Sequence, residues 1–214
     1  MINLPGIILA GGLSRRMGGG DKGLMDLGDK TILERVIENI EPQVCSLAIN
    51  INGDQSRFSR YRYPMIGDSI SGHVGPLAGV LAGMDWAFEN NFKAIITVAA
   101  DSPFIPDDLV QRLSNLSKRK GSQITMASAH DESTGEDRSH PTFGLWSVSL
   151  REDLRKELLA GTRKIIKWAE RHKLDYERFN IQASREDPFF NINTPQDLKL
   201  SLIHISEPTR QAEI

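Results

Sequence analysis

The sequence predicts an α/β fold of three layers, a mostly parallel sheet with helices on both faces. Three observations lead there. Short apolar runs alternate with amphipathic segments along most of the chain. Two of the runs, Pro5–Ala10 (PGIILA) and Ala94–Ala100 (AIITVAA), are apolar at successive positions, as strands covered on both faces are. Segments between the strands carry apolar residues at helical spacing, as crossovers between parallel strands require.

In chain order, the first strand stops at a glycine-rich loop. Thr31 opens a helix: Thr31-x-x-Glu34 is a capping box, and Ile32, Leu33, Val36, Ile37 and Ile40 form one apolar stripe. Pro42 ends it. A strand at Leu47–Ile51 stops at the Gly53–Asp54 turn, another is expected at Tyr63–Ile66, and a helix rich in small residues at Leu77–Phe88. After AIITVAA, Pro106 opens a helix with Asp107 and Asp108 in its first turn, where acidic side chains suit the helix dipole. Ile124–Ala129 and Thr142–Val148 read as strands around a polar loop, His130–Ser139. Amphipathic segments at Leu150–Leu159 and Arg163–His172, a strand at Tyr176–Ile181 and a helix from Pro195 complete the pattern.

Residues 1–200 read as a single domain without repeat or linker. Residues 201–214 (SLIHISEPTRQAEI) read as a non-native tail: they show no helical pattern, Pro208 interrupts them, and they resemble the translation of a sequencing-library adaptor. The functional reading leaves them out.

The 214 residues suffice for one domain with a sizeable core, and a composition 39% hydrophobic and 25% charged excludes a disordered chain. A net charge of −2 offers no general attraction to nucleic acid or an anionic membrane, so any anion must be caught by a local cluster. The single cysteine, Cys45, excludes an internal disulfide and a multi-cysteine metal site, and it fits a reducing compartment. With no signal-peptide pattern in Met1–Ala10 and no run long enough to span a membrane, a cytoplasmic location is expected.

The local cluster is the loop Leu9–Gly23 (LAGGLSRRMGGGDKG). Its glycines let backbone N–H groups approach an anion, and Arg15, Arg16 and Lys22 supply the charge that a polyphosphate needs. Two familiar phosphate motifs do not fit. Gly18-x-Gly20-x-x-Gly23 neither abuts the strand nor opens a helix, and Lys22 lies between Asp21 and Gly23 rather than in Gly-Lys-Ser/Thr.

Asp101 follows AIITVAA. Ligands of open α/β sheets bind outside the carboxyl ends of strands, and Mg²⁺ is held by one or two carboxylates plus substrate phosphates. A turn-capping aspartate before Ser102-Pro103 is the competing reading. Asn50 ends a strand and Asp68 opens the loop that leads to Pro76. A carboxylate can accept from N1–H and the exocyclic amino group of guanine, yet either residue could equally form a turn, and both readings stay open. His140, Asn191 and Asn193 sit at the margins of apolar strands, as compatible with structural polar groups as with ligand contacts.

The segments LAGGLSRRMGGGDKGL, GPLAGVLAGM, DSPFIPDDL, HPTFGLW and FFNINTPQDL span most of residues 5–200, and in this order they resemble the molybdenum cofactor guanylyltransferases. The first is the specific one, because related sugar and terpenoid-pathway nucleotidyltransferases usually carry a different loop. The resemblance implies a Rossmann-like nucleotidyltransferase fold and an enzyme that joins GMP from GTP to molybdopterin, releasing pyrophosphate, with Mg²⁺ as cofactor. It implies that Leu9, Ala10 and Gly11 meet guanine through the backbone with Gly12 beside them, and that Arg16 and Lys22 hold the phosphates. Asn50 and Asp68 would recognise the nucleoside, and Asp101 would bind GTP and Mg²⁺. The HPT and NINTP segments would face molybdopterin, which makes His140, Asn191 and Asn193 acceptor-site candidates. Molybdoenzyme chaperones and other molybdenum cofactor biosynthesis proteins are the partners the family suggests. Two readings compete: a related enzyme using CTP or a sugar-phosphate acceptor, disfavoured by the form of the loop, and a non-catalytic nucleotide-binding domain. The joint presence of Arg16, Lys22 and Asp101 disfavours the second.

Overall fold

The computed structural model describes residues 3–11, 21–70, 75–181 and 187–206. Its strands are β1 (Gly6–Leu9), β2 (Asp26–Leu27), β3 (Lys30–Thr31), β4 (Leu47–Asn50), β5 (Met65–Ile66), β6 (Ala94–Ala99), β7 (Ile124–Asp131), β8 (Glu136–Ser147) and β9 (Leu174–Ile181). The helices are α1 (Ile32–Ile40), α2 (Pro76–Glu89), α3 (Leu109–Lys120), α4 (Arg151–Leu159), α5 (Ile165–Ala169) and α6 (Pro195–Ser206).

Seven strands form one sheet in the order β5-β4-β1-β6-β8-β7-β9, and β2 and β3 pair separately. Neighbours are parallel except at β8, which runs antiparallel to both β6 and β7. β6, the AIITVAA strand, is therefore central but parallel on one side only. The turn between β7 and β8 is short, so β8 must return in the opposite sense, and it does so between β6 and β7.

Side chains alternate across the sheet and build two cores. Ile8, Ile49, Ile96 and Val98 pack with α1 and α3 on one face, while Ile7, Ala48, Ile95 and Trp146 pack with α2, α4 and α5 on the other. The Thr31 capping box is formed: Thr31 Oγ1 accepts from the Glu34 N–H at 3.2 Å, and Glu34 Oε2 accepts from the Thr31 N–H at 2.7 Å. Of the α1 stripe, Leu33, Val36, Ile37 and Ile40 enter the first core. Ile32 instead joins Leu27 and Ile192 in a third cluster. The one polar side chain inside β6, Thr97, is fully buried and satisfied. Its Oγ1 donates to the Thr142 carbonyl at 2.8 Å and accepts from Trp146 Nε1 at 2.8 Å.

Four expectations are corrected. α3 begins at Leu109, with Pro106–Asp108 in the preceding turn, and Asp108 makes no side-chain cap. β5 is confined to Met65–Ile66. The polar segment His130–Ser139 is mostly strand: β7 and β8 stay paired out to Asp131 and Glu136. Its polarity reflects a ribbon that projects past the core with residues 132–138 exposed, so no apolar face is needed. Finally, α6 runs on to Ser206, because Leu198, Leu202 and Ile205 recur at helical spacing and pack with Leu27, Ile32 and Ile192. The helical pattern thus extends past residue 200; residues 207–214 lie outside the described residues.

Candidate active site

The order of the strands reverses at β1, since the chain first adds β4 and β5 on one side and then crosses to β6 on the other. Parallel sheets leave a ligand crevice outside the carboxyl ends at such a point. Leu9, Ala10 and Gly11 lie there at the end of β1, Asn50 at the end of β4, Asp68 just past β5 and Asp101 just past β6. Gly12 and Arg16, together with Arg15, lie outside the described residues.

On one side of the crevice the chain folds a polar frame. Asn50 Nδ2 donates to Asp68 Oδ1 at 3.0 Å and to the Ile66 carbonyl at 3.2 Å. Asn52 Nδ2 donates to Asp68 Oδ2 at 2.7 Å, and Asn52 Oδ1 accepts from the Asp68 N–H at 3.1 Å. Asn50 is only 2% exposed, so the structure assigns its amide to holding Asp68. Two glycines make room for the frame. A Cβ on Gly79 of α2 would lie 2.4 Å from Asn50 Oδ1, and one on Gly11 would lie 2.6 Å from Asn52 Nδ2. These collisions explain Gly11 in LAGG and Gly79 in GPLAG.

On the other side, Lys22 stands at the start of a short 3-10 turn, Lys22–Leu24. Its Nζ lies 3.6 Å from Asp101 Oδ2 and donates to Asn193 Oδ1 at 2.5 Å. Asp101 is held by the C-terminal segment, because its carbonyl accepts from the Ile192 N–H at 2.9 Å. Ser102 Oγ donates to Asn191 Oδ1 at 2.5 Å and more weakly to the Phe189 carbonyl at 3.4 Å. Thr194 and Asp197 cap α6, and Asp197 Oδ2 accepts from the N–H groups of Asn193 and Thr194 at 2.8 and 2.7 Å. Burial pushes the Asp101 carboxyl above the usual carboxylate range, against the pull of Lys22. A desolvated carboxylate of this kind gains by meeting a cation.

His140 lies where β8 breaks register. Met126 faces Gly144 while Ala127 faces His140, leaving Pro141, Thr142 and Phe143 without counterparts on β7. The His140 ring packs on Phe189 at a centroid distance of 4.9 Å, and its Nε2 lies 3.0 Å from Asp187 Oδ2, an ion-pair contact without hydrogen-bond alignment. Burial raises the Asp187 carboxyl, but His140, the Phe189 amide and Arg138 outweigh it and hold the group below the usual range.

The predicted residues therefore gather as two groups: Leu9–Gly11 with Asn50 and Asp68, and Lys22 with Asp101, Asn191 and Asn193. His140 joins the second through Phe189, whose carbonyl Ser102 also reaches. Asn52, Asp187 and Asp197 were not anticipated. The signal for Asn52 was its spacing two residues after Asn50 on an extended segment, which puts both on one side. The signal for Asp197 was its capping spacing from Thr194. Among the described residues no cluster of three or more His, Cys, Asp or Glu could hold a metal by protein ligands alone. One desolvated carboxylate with a lysine beside it fits Mg²⁺, an ion that takes one or two carboxylates and keeps substrate oxygens and waters as its other ligands.

Comparison with known proteins places the chain by sequence and fold. The family model described as MobA-like NTP transferase domain matches residues 6–175. The chain is 44% identical to the molybdenum cofactor guanylyltransferase of Mesorhizobium japonicum, over 92% of this chain and 93% of the relative. It is 46% identical to that of Rhodopseudomonas palustris, over 91% and 88%. Among solved structures, molybdopterin-guanine dinucleotide biosynthesis protein A from Archaeoglobus fulgidus superposes with a TM-score of 0.70 at 25% identity, covering 95% of this chain and 99% of that one. On sequence and fold, the chain belongs to the molybdenum cofactor guanylyltransferase family.

Proposed function

We propose that the chain transfers GMP from GTP to the terminal phosphate of molybdopterin and releases pyrophosphate, with Mg²⁺ required. The observation that carries the reading is the convergence of Lys22, Asp101 and Asn193 on one side of the crevice at the carboxyl ends of the strands, with Asp68 held by two amides on the other. An acceptor phosphate oxygen forms a bond to the α-phosphorus, the bond from that phosphorus to the bridging oxygen breaks, and the electron pair leaves with pyrophosphate. The acceptor is already an anion, so no strong general base is needed. What the protein supplies is alignment and cancellation of charge between two anions.

Lys22 moves from Asp101 to the leaving phosphates, and Arg16 of the glycine-rich loop assists it. Asp101 is the residue that would hold Mg²⁺, and the ion when bound neutralises phosphate oxygens. Asp68 accepts from N1–H and the amino group of guanine, while the backbone of Leu9–Gly11 borders the base. Asn191 and Asn193 orient the acceptor side, with His140 and Asp187 as its support. A cytoplasmic location and transient contacts with molybdoenzyme chaperones belong to the same reading.

The test is transfer of labelled nucleoside monophosphate from GTP, ATP, CTP or UTP to molybdopterin, with and without Mg²⁺. Product from GTP alone, and only with Mg²⁺, is the expected result. Product from CTP would reassign the chain to a cytidylyl-transferring relative, and nucleotide binding without transfer by folded protein would make it a non-catalytic binder.

A further inference from the structure

Asp68 can discriminate a base only if its carboxylate is held in one orientation. Among the described residues, each of its oxygens accepts one side-chain amide, Oδ1 from Asn50 and Oδ2 from Asn52. A carboxylate oxygen offers about two acceptor directions, so each keeps capacity for one further donor, and a carboxylate with that capacity on both oxygens can accept two parallel donors, one per oxygen. Guanine presents such a pair on its Watson–Crick edge. Adenine presents one donor and one acceptor, and its acceptor would face a carboxylate oxygen.

The two amides are not equivalent. Asn50 is buried and also tied to the Ile66 carbonyl, so it belongs to the scaffold. Asn52 is half-buried, grips Asp68 at both its carboxylate and its backbone N–H, and points its amide at the Gly11 carbonyl, 3.5 Å away. It is thus the residue that joins the end of β1 to the carboxylate. A Cβ on Gly11 would strike this same amide nitrogen at 2.6 Å, so the backbone there is shaped around it.

We propose that Asn52 is a positioning residue for base selection, its side-chain amide fixing the Asp68 carboxylate for guanine and against adenine. The inference rests on the guanylyl-transfer reading above and adds to it a residue that does not itself touch the substrate. Asn52→Asp separates this role from a merely structural one. The variant is nearly isosteric and keeps the acceptor for the Asp68 N–H, but it replaces the donor to Oδ2 with a second carboxylate oxygen.

The experiment measures kcat and KM for GTP, ATP and ITP in the wild type, Asn52→Asp and Asn52→Ala, with thermal melts to confirm folding. ITP lacks the exocyclic amino group and so reports on one of the two contacts. The expected result is a GTP-over-ATP ratio of kcat/KM reduced about tenfold or more in both variants, with the loss falling on KM for GTP more than on kcat. ITP is affected less than GTP. Asn52→Ala, which adds no charge, serves if Asn52→Asp does not fold. A wild type that prefers GTP with both ratios unchanged in the variants overturns the inference alone. A wild type that uses ATP as readily as GTP overturns the guanylyl reading and the inference with it.

Discussion

On one side of the crevice, the proposed base side, the Asp68 carboxylate is held by two neutral amides, whereas on the other, the proposed phosphate side, the Asp101 carboxylate faces Lys22 across 3.6 Å. The first arrangement can persist when a ligand arrives, because the amides leave acceptor directions free. In the proposed reaction the second is exchanged, phosphate and cation taking the places of Asp101 and Lys22 as each other's partners. On the proposed function, recognition is preformed, whereas charge cancellation waits until both reactants are present. The difference also shows in their packing. Gly11 and Gly79 close on the amides with no space for a Cβ, while Lys22 and Asp101 keep 21% and 22% of their side-chain surface exposed.

Asp101→Asn breaks the phosphate side most directly. Turnover falls by about 10²–10³ in the transfer assay, the usual cost of removing one preorganised electrostatic contact. The same variant should be the more stable protein at neutral pH without ligands. The folded-state pKa of Asp101 is raised, so its contribution to stability is full below the ordinary carboxylate value and is lost as pH rises through the folded value. Replacing it with a neutral amide removes that loss. Thermal melts across pH are expected to show Asp101→Asn above wild type at neutral pH, with the gap closing in acid. A gap independent of pH would show that burial of charge is not its cause.

Lys22→Ala comes next, with a loss of turnover of at least about 10² and retained folding by circular dichroism. Wild-type turnover in this variant would remove Lys22 from the phosphate side. Asp68→Asn probes the base side. The preference for GTP over ATP drops by about 10–100-fold, since an amide cannot accept two hydrogen bonds on adjacent atoms. An unchanged preference would show that the carboxylate does not read the base. Gly79→Ala has the smallest effect. Its new Cβ presses on Asn50 and Leu9 and costs about 1–3 kcal/mol, read as a lower urea midpoint.

Much of the frame was legible because its causes are local. The Thr31–Glu34 box, the α1 stripe and the two apolar strands need only neighbours in sequence to be recognised. Asp101 and Asp68 could be placed at strand ends by the same reading. The polar ribbon of β7 and β8 was not legible, because backbone pairing with β9 and across the hairpin sets its conformation, whatever the polarity of its side chains. The course of α6, by contrast, could have been read from the helical spacing of Leu198, Leu202 and Ile205, which pack on Leu27 and Ile32. Lys22 and Asn193 meet across 171 positions of sequence, and no local pattern announces such a contact.

That contact bears on which parts of the chain each side of the crevice needs. Among the described residues every strand lies within 6–181, as does the Asn50–Asn52–Asp68 frame, so neither needs residues 187–193 for its backbone pairing or its hydrogen bonds. Asp101, by contrast, takes the Ile192 amide from that segment, Ser102 takes Asn191 and Lys22 takes Asn193. A chain lacking residues 187–193 would keep the partners of Asp68 and lose those of Lys22, Asp101 and Ser102, so the two sides of the crevice depend on different parts of the sequence.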